Sequence, residues 1–496
     1  MRTLSLAVLA MLAAGALRLA VAPPRLAPLA TLDDAVRPRE GPRHEGAALE
    51  IGVDASALGH EFLGFGLGIH PSDVTSGLLA ELRPRFVRME VGPEWNHLAR
   101  KIPTGCDPYA MDRYIAEQFD ADSPERLSGA RWAFKVLESL GAKVILVNFE
   151  LPWHWLAKDD PMRTLEDARV EDWARFWVSL LLFLKQHGMV PFAVELANEP
   201  DGHWNGHVPP DRYARLVALV RAELDRRGVG QVRLLGPGLA YLRREDDARR
   251  YVGALGEAGA RAVWGWSTHA WDEVDYPRAR VEFADGVWRP LLDAVASLPA
   301  RPMLVTEYAT EVTTYRGVDY ASPRAGVSPC ASDTPEYAVR VLANSLVHAN
   351  RGAGALVLYR LADHDWHRTR WGLVRRPADG AGERPLAELV RMVWPRIPDG
   401  ARLVRAPPLG RDDPVVWAAW RAGSRLVFVA ANATDDDAAA IVRIRGLVAP
   451  RIDDAELYGP RGRERFCVED CSGECWGFRV RLAAHSASIW VVTDGP

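Results

Sequence analysis

The sequence lacks the features that mark several large classes of protein. Its 61 basic and 65 acidic residues form no long run of one sign, so nucleic acid is not expected as a partner. No glycine-rich phosphate loop follows any predicted strand, which argues against a doubly wound nucleotide-binding sheet. No strand carries the His-x-His pair typical of metal-dependent barrel hydrolases. The longest apolar run near the amino terminus, residues 4–17, is too short to span a bilayer comfortably.

The remaining composition is that of an ordinary globular protein. The chain has 496 residues, of which 48% are hydrophobic and 25% are charged, close to average usage for soluble domains. This length predicts several domains, or one large barrel with an accessory module. The 18 Trp residues are unusually many, and Trp is the side chain that stacks best on sugar rings.

The amino terminus resembles an export signal. Arg2 is followed by an apolar segment and by the small residues 20–22, which offer a cleavage site, so residues 1–22 are predicted to be a signal peptide. An uncleaved anchor is the alternative. Residues 23–47 are rich in Pro, Ala and Arg without periodicity, which predicts a flexible linker. We therefore expect a secreted or periplasmic protein with no membrane span in the mature chain.

The five cysteines predict a structural role. In an exported protein a disulfide among the last three is expected, and its pairing stays open. Their spacing lacks the CxxC pairs of a zinc site, so no metal is predicted. The cysteines are Cys106, Cys330, Cys467, Cys471 and Cys475.

An alternation of short apolar runs with amphipathic stretches predicts a (β/α)8 barrel, which is an α/β fold, over residues 48–397. The eight runs are 63–70, 86–92, 143–151, 190–200, 231–239, 262–271, 302–309 and 354–361. Helical patterns between them, such as 125–140 and 170–187, end at a Gly directly before the next strand.

The pattern changes after residue 398. Short, partly alternating runs separated by Gly, Asp and Pro predict a C-terminal antiparallel β-sandwich over residues 398–496. Residues 48–58 alternate in the same way, and they are candidates for a further strand of this sandwich.

Two carboxylates close predicted barrel strands four and seven. The fourth run ends in Glu195-Leu-Ala-Asn198-Glu199-Pro200, and the seventh in Thr306-Glu307-Tyr308. Because reacting groups of barrels lie at the C-terminal ends of strands, Glu199 and Glu307 are expected to face each other across the opening. One carboxylic acid and one carboxylate are what glycosidic cleavage needs.

These residues resemble a known group. Asn198-Glu199-Pro200 and Glu307 look like the signature of clan A glycoside hydrolases, the "4/7" superfamily of retaining barrel enzymes. Thr268-His269-Ala270-Trp271 resembles the turn after strand six of that group. A sandwich on a barrel is similar to the β-xylosidase/α-iduronidase, glucosylceramidase-like and heparanase-like families.

The resemblance implies roles for single residues. Glu199 would be the general acid/base, Glu307 the nucleophile, and Asn198 a ligand of the sugar 2-hydroxyl, in a double displacement that needs no cofactor. The substrate would be an oligosaccharide, a polysaccharide or a glycoconjugate. Tyr308, His269 and Arg88 are candidates to contact the substrate and to keep Glu307 ionised. The sequence leaves open whether Arg88 orients Glu307 or pairs with Glu195, which we expect to be structural.

Further residues at strand ends are candidates for sugar contact. Glu150 is a candidate ligand of a sugar hydroxyl or an ordinary loop carboxylate. Aromatic side chains predicted to stack on sugars include Trp153, Trp155, Trp271 and Trp366. Two alternative functions are a carbohydrate-binding barrel that has lost turnover and a metal-dependent barrel hydrolase. The sugar, its linkage and the choice between exo and endo action stay open.

Overall fold

Eight parallel strands form a closed barrel, which confirms the predicted α/β class. Consecutive strands are neighbours, and the last strand pairs with both the seventh and the first. Each predicted run overlaps one strand. The barrel strands are β3 Gly64–Ile69, β4 Phe86–Val91, β5 Lys143–Asn148, β6 Ala193–Glu195, β7 Arg233–Leu239, β8 Gly265–Asp272, β9 Met303–Thr310 and β12 Ala353–Leu358.

This computed structural model describes residues 48–91, 102–121, 124–148, 150–240, 245–272, 288–315, 317–365, 368–407, 413–465, 470–471 and 476–495. The predicted signal peptide and linker lie outside the described residues. So do Trp366, Cys467 and Cys475, and with them the predicted C-terminal disulfide. Cys106 and Cys330 carry free thiols.

Helices surround the barrel. Several of them end at a Gly in the left-handed conformation, as at Gly141 (φ +74°) and Gly188 (φ +77°), in agreement with the predicted helix ends. The helices are α1 Gly77–Leu82, α2 Pro108–Ala121, α3 Pro124–Ser139, α4 Val170–Gln186, α5 Pro210–Arg226, α6 Glu245–Ala262, α7 Pro335–Asn350 and α8 Pro385–Val393. No helix in the described part of the chain is long and apolar enough to span a membrane.

An apolar layer fills the floor of the barrel. It consists of Phe86, Ile145, Ala193, Leu235, Leu304, Ala355 and Val357. Side chains alternate along a strand, so the residues two and four positions after these floor residues also face the lumen. Arg88 and Glu90 on β4, and Glu195 on β6, therefore lie above the floor on the inner face.

Two antiparallel-rich sheets form the predicted β-sandwich. One sheet has the order β1-β18-β22-β21, and the other has the order β2-β15-β16-β17-β23-β19-β20. Aromatic side chains from both sheets meet between them, and Phe478 stacks on Trp490 with 3.9 Å between the ring centroids. The strands are β1 Leu49–Asp54, β2 Leu58–Glu61, β15 Arg402–Val404, β16 Val416–Ala422, β17 Arg425–Asn432, β18 Ala438–Arg445, β19 Pro450–Gly459, β20 Gly462–Arg465, β21 Asp470–Cys471, β22 Trp476–Leu482 and β23 Ser486–Asp494.

The segment ahead of the barrel belongs to the sandwich. Strand β1 pairs with β18 in parallel, and β2 pairs with β15 in the other sheet. Barrel and sandwich lie in one compact unit, residues 47–496. Asn350 at the end of α7 donates a hydrogen bond to the carbonyl of Trp417. Two short hairpins, β10 Thr314–Tyr315 with β11 Val318–Asp319 and β13 Val374–Arg375 with β14 Gly382–Glu383, extend the barrel loops.

Candidate active site

Glu199 lies in the turn after β6, at the opening of the barrel. Its backbone adopts φ of +50°, a left-handed conformation that is uncommon for residues other than Gly and costs energy unless neighbours hold it. The surrounding backbone is held firmly. The indoles of Trp173 and Trp177 on α4 both donate to the carbonyl of Leu196, at 3.1 and 3.0 Å, and Tyr251 donates to the carbonyl of Pro200 at 2.9 Å.

Glu307 lies on β9 and reaches the same opening. One carboxylate oxygen of Glu199 and one of Glu307 lie within 4.8 Å of each other. Both side chains are largely buried, at 8% and 6% exposure. The structure therefore brings together the two carboxylates that the sequence singles out.

The guanidinium of Arg88 is the centre of the site. Its Nε donates to Glu195 Oε2 at 2.9 Å, and its Nη1 donates to Glu307 Oε2 at 2.6 Å. Its Nη2 donates to Asn198 Oδ1 and lies 3.3 Å from His269 Nε2. Arg88 thus makes both of the contacts that the sequence left as alternatives.

Glu195 lies deeper in the lumen as a structural anion. It accepts hydrogen bonds from Arg88 and, at 2.7 Å, from Thr306. Burial by itself raises its pKa, but Arg88 and then His269 outweigh burial, so the pKa of Glu195 is lowered. An ionised Glu195 fixes the position of Arg88, as expected of a structural residue.

His269 stands between the two candidate catalytic carboxylates. Its Nδ1 lies 2.8 Å from Glu199 Oε1 and 4.0 Å from Glu307 Oε2, and the ring is fully buried. Burial lowers the pKa of His269, yet the negative charges of Glu307 and Glu199 outweigh burial and raise it.

Two indoles donate hydrogen bonds to the carboxylates. Trp271 Nε1 donates to Glu307 Oε1 at 3.2 Å, and Trp204 Nε1 donates to Glu199 Oε2. The Trp204 ring lies against the Cα of Gly202, where an added Cβ would come within 2.5 Å of ring atom Cζ2. Only a glycine at this position lets the loop fold back far enough for Trp204 to reach Glu199.

The pKa values of Glu199 and Glu307 are shifted in opposite directions. Burial raises the pKa of Glu307, and the charges of Glu199 and Glu90 add to the effect, so the pKa is raised despite His269 and Arg88. Burial acts on Glu199 in the same direction, but hydrogen bonds from His269 and Trp204 outweigh it and lower the pKa of Glu199. Each carboxylate therefore acts on the pKa of the other, as expected of two buried groups that share one opening.

Two of the predicted substrate contacts are wrong. Tyr308 follows Glu307 on the strand, so it points outward, and its hydroxyl pairs with Ser345 on α7 at 3.0 Å. Trp155 is fully buried in the barrel core, with its ring edge-on to Trp173 at 5.8 Å between centroids. Both side chains are packing residues.

Other predicted contacts lie at the rim. Trp153 is 68% exposed, in the short helix Trp153–Trp155 after β5, and Glu150 is exposed in the same loop. Neither contacts the carboxylate pair in the described structure, so their contact with sugar stays a prediction. Trp271 packs against Trp371, with 4.7 Å between ring centroids, and forms an aromatic wall beside Glu307.

Glu199, His269 and Glu307 are also close enough to be considered as metal ligands. Their donor atoms are, however, already used within the protein. Arg88 donates to Glu307 Oε2 and lies against His269 Nε2, while His269 Nδ1 bonds Glu199. A cation would have to replace the guanidinium that neutralises the site, so these residues fit a metal poorly.

The comparisons with known proteins show what this fold is similar to. Neither a family model nor a curated protein matches the sequence. A glycoside hydrolase family 30 subfamily 8 xylanase from Clostridium acetobutylicum matches 90% of this chain and 99% of its own, with a TM-score of 0.60 and 14% identity. A conserved exported protein from Bacteroides fragilis matches 89% and 100%, with a TM-score of 0.63 and 14% identity.

A family 51 α-L-arabinofuranosidase from Bifidobacterium longum is similar as well. It matches 90% of this chain and 99% of its own, with a TM-score of 0.57 and 12% identity. At such identities the likeness is one of fold. The fold that the resemblance implies, a (β/α)8 barrel with a β-sandwich, is confirmed.

The sequence did not single out Glu90 as a residue of the opening, nor did it predict the contact between Glu90 and Arg360. Glu90 lies two positions after Arg88 on β4. Because side chains alternate between the two faces of a strand, this spacing indicated that both residues face the lumen. Arg360 lies just after the last barrel strand, β12. Nothing in the sequence indicated that its Nη2 lies 3.8 Å from Glu90 Oε2.

Proposed function

We propose that this protein is an exported retaining glycoside hydrolase in which Glu307 is the nucleophile and Glu199 the general acid/base. The observation that carries the proposal is the approach of one oxygen of each carboxylate to within 4.8 Å at the barrel opening. Retaining enzymes hold these groups about 5–5.5 Å apart, whereas inverting enzymes leave about 6.5–9.5 Å for a water molecule. The short separation supports covalent capture of the sugar.

In the first step a carboxylate oxygen of Glu307 bonds to the anomeric carbon while the bond to the leaving oxygen breaks. Glu199 gives its proton to that oxygen, and the aglycone leaves as an alcohol. Arg88 and Trp271 orient the Glu307 carboxylate, which keeps the attacking oxygen in place. Asn198 is held through its Oδ1 by Arg88, so a sugar 2-hydroxyl would be bound by its amide nitrogen.

In the second step water attacks the anomeric carbon of the glycosyl ester. Glu199 takes a proton from the water, the ester bond to Glu307 breaks, and the sugar leaves with retained configuration. Attack in the first step requires an ionised Glu307 and a protonated Glu199. His269 Nδ1 lies within hydrogen-bond distance of Glu199 Oε1, at 2.8 Å, so His269 orients the carboxyl group that gives and takes the proton.

The substrate class is proposed to be a glycan or a glycoconjugate. The fold neighbours include a xylanase and an arabinofuranosidase, which supports a sugar substrate without selecting one. Export is proposed from the pattern of residues 1–22. A neighbour described as an exported protein is consistent with it. Both carboxylates are present, and each accepts hydrogen bonds from neighbouring side chains, which favours turnover over binding alone.

The decisive experiment is covalent labelling. The protein is screened against aryl α- and β-glycosides and polysaccharides, then treated with an epoxide or 2-fluoro glycoside of the matching sugar. We expect mass spectrometry to place one label on Glu307, and Glu307→Gln to abolish both labelling and turnover. A label on another residue would remove the nucleophile assignment, and the absence of any cleaved glycoside would remove the proposed activity.

A further inference from the structure

Glu90 is a carboxylate in the barrel opening that the proposed mechanism does not use. It lies at the end of β4 on the same inner face as Arg88, and it is 9% exposed. Glu195, Glu199 and Glu307 each accept two hydrogen bonds or more from protein groups. Among the residues that the structure describes, none donates a hydrogen bond to Glu90.

A nearly buried carboxylate without hydrogen-bond donors is unusual. Removing a charge from water is costly unless polar partners replace the water, and almost all buried polar groups in proteins have such partners. Among the described residues, Arg360 forms an ion pair with Glu90, but its Nη2 lies 3.8 Å from Glu90 Oε2, outside hydrogen-bond distance. Asp73 is a useful contrast in the same region, since it accepts the backbone N–H of His70 at 2.8 Å.

A chain of contacts through Arg360, Tyr359 and Trp271 links Glu90 to the proposed nucleophile. Arg360 lies over the ring of Tyr359 at 4.9 Å, and Tyr359 packs against Trp271 with 5.5 Å between ring centroids. Trp271 in turn donates to Glu307. The charge of Glu90 also contributes to the raised pKa of Glu307, as expected of a near neighbour.

We infer that Glu90 is a specificity-determining residue, which accepts hydrogen bonds from hydroxyl groups of a neutral sugar bound beside Glu307. An ionised carboxylate has only acceptors, and two neighbouring hydroxyls of a pyranose are matching donors. This inference rests on the proposed function and names the class of its substrate.

The charges around the opening explain why the sugar is neutral. Among the described residues, three carboxylates reach the opening, those of Glu90, Glu199 and Glu307, while the two guanidinium groups that form ion pairs with Glu90 and Glu307, those of Arg360 and Arg88, are shielded from it. Arg88 is 2% exposed and lies between Glu195 and Glu307, and Arg360 is 1% exposed behind Glu90. A uronic acid would bring a fourth carboxylate into this surface, where like charges repel.

The test compares wild type, Glu90→Gln and the control Glu117→Gln, an exposed carboxylate on α2. The substrates are 4-nitrophenyl glycosides, including the β-glucoside, β-xyloside, β-galactoside, α-L-arabinofuranoside and β-glucuronide. On the best neutral substrate Glu90→Gln should lose about 10- to 100-fold in kcat/KM, the range expected for a hydrogen bond to a charged group. Glu117→Gln should match wild type. Wild-type preference for the glucuronide would overturn the inference.

Deoxy analogues of the best substrate locate the contact. For the analogue that lacks the bound hydroxyl, wild type and Glu90→Gln should have equal kcat/KM, whereas analogues modified elsewhere should keep the full difference. The same loss on every analogue would show a general structural effect and would overturn the inference. If Glu90→Gln does not fold, Glu90→Asp, which shortens the reach and keeps the charge, is used with the same expectation.

A binding measurement separates this inference from the proposed hydrolysis. Glu307→Gln, with and without Glu90→Gln, is titrated with D-glucose, D-xylose, D-galactose and L-arabinose by tryptophan fluorescence. Loss of Glu90 should weaken the tightest of these complexes at least tenfold. If glycosides are not cleaved but this weakening is seen, the hydrolytic function fails and the role of Glu90 stands. Unchanged binding, or no binding of any neutral sugar, overturns the role of Glu90.

Discussion

Arg88 donates to Glu307 at 2.6 Å from Nη1 and to Glu195 at 2.9 Å from Nε, so a single guanidinium serves the proposed nucleophile and a buried structural anion. Both contacts are shielded from solvent, since all three side chains are less than 10% exposed. The stability of the barrel core and the geometry of the site therefore depend on the same group.

Replacing Arg88 should destabilise the fold as well as the site. Arg88→Ala removes the guanidinium that is hydrogen-bonded to both Glu195 and Glu307, and removing one partner of a buried ion pair costs about 3–5 kcal/mol. Denaturation by urea should show this loss in the free energy of unfolding. Arg261→Ala, at an exposed position on α6, should leave the free energy of unfolding close to wild type. Equal stability of Arg88→Ala and wild type would contradict the proposed buried network.

Removing Glu199 should slow both steps in which a proton moves. Glu199→Ala should lose most of its activity on aryl glycosides with poor leaving groups and keep much of it where the leaving group is activated. Azide should restore turnover because it needs no base, and it should yield a glycosyl azide of retained configuration. The measurement is the rate with and without azide, together with the configuration of the product by NMR. An absence of rescue would make the assigned role of Glu199 wrong.

The indole of Trp204 should influence the pKa of Glu199, and with it the pH dependence of kcat/KM. Its hydrogen bond lowers the pKa of Glu199, so Trp204→Phe should raise that pKa. Since an acid with a higher pKa stays protonated to higher pH, the alkaline limb of the kcat/KM profile should move upward. Gly202→Ala should act in the same direction, because the new Cβ displaces the indole.

Gly253→Ala is the matched control for this pair of variants. Gly253 lies on α6, and an added Cβ there meets no atom within 4 Å. Its pH profile should coincide with that of wild type. A profile for Trp204→Phe that is also unshifted would show that the indole does not tune Glu199.

His348 should make the protein less stable in mild acid. The ring is fully buried and accepts a hydrogen bond from Trp288 at 2.8 Å, and burial lowers the pKa of His348 from 6.5 to about 4. As pH falls from 6.5 to about 4, the unfolded chain binds a proton that the folded protein does not. Folding should therefore lose about 3 kcal/mol over this interval.

His348→Gln should remove that part of the pH dependence. Urea denaturation at several pH values between 7 and 4 gives the slope, and the glutamine oxygen can still accept from Trp288. His203→Gln, at an exposed position, should keep the wild-type slope. A slope for His348→Gln equal to wild type would show that His348 is charged in the folded protein or that other groups dominate.

Local pattern explains why much of the fold was predictable. Strands that are buried on both faces have continuous apolar sequences, and helices that end at Gly141 and Gly188 separate them. The alternation of strands and helices can therefore be predicted from the sequence. The two candidate catalytic residues were also visible, since strand ends of a barrel converge on one opening.

The errors have one cause. Tyr308 and Trp155 stand near strand ends, as substrate contacts do, but the side that a residue faces depends on strand register and loop path. Tyr308 points to α7, and Trp155 packs into the core below its loop. Glu90 was missed for the same reason, since the groups that surround a side chain depend on the tertiary structure.

The sequence by itself determined the order of strands and helices, the sandwich that follows the barrel, and the two glutamates that close strands four and seven. These are properties of a few neighbouring residues, and periodicity records them. Only the tertiary structure decided that Arg88 bridges Glu195 and Glu307, that Trp204 folds back over Gly202, and that His269 lies between the carboxylates. Arg88 and Glu307 are 219 positions apart, and closure of the barrel, to which all eight strands contribute, sets the distance between them.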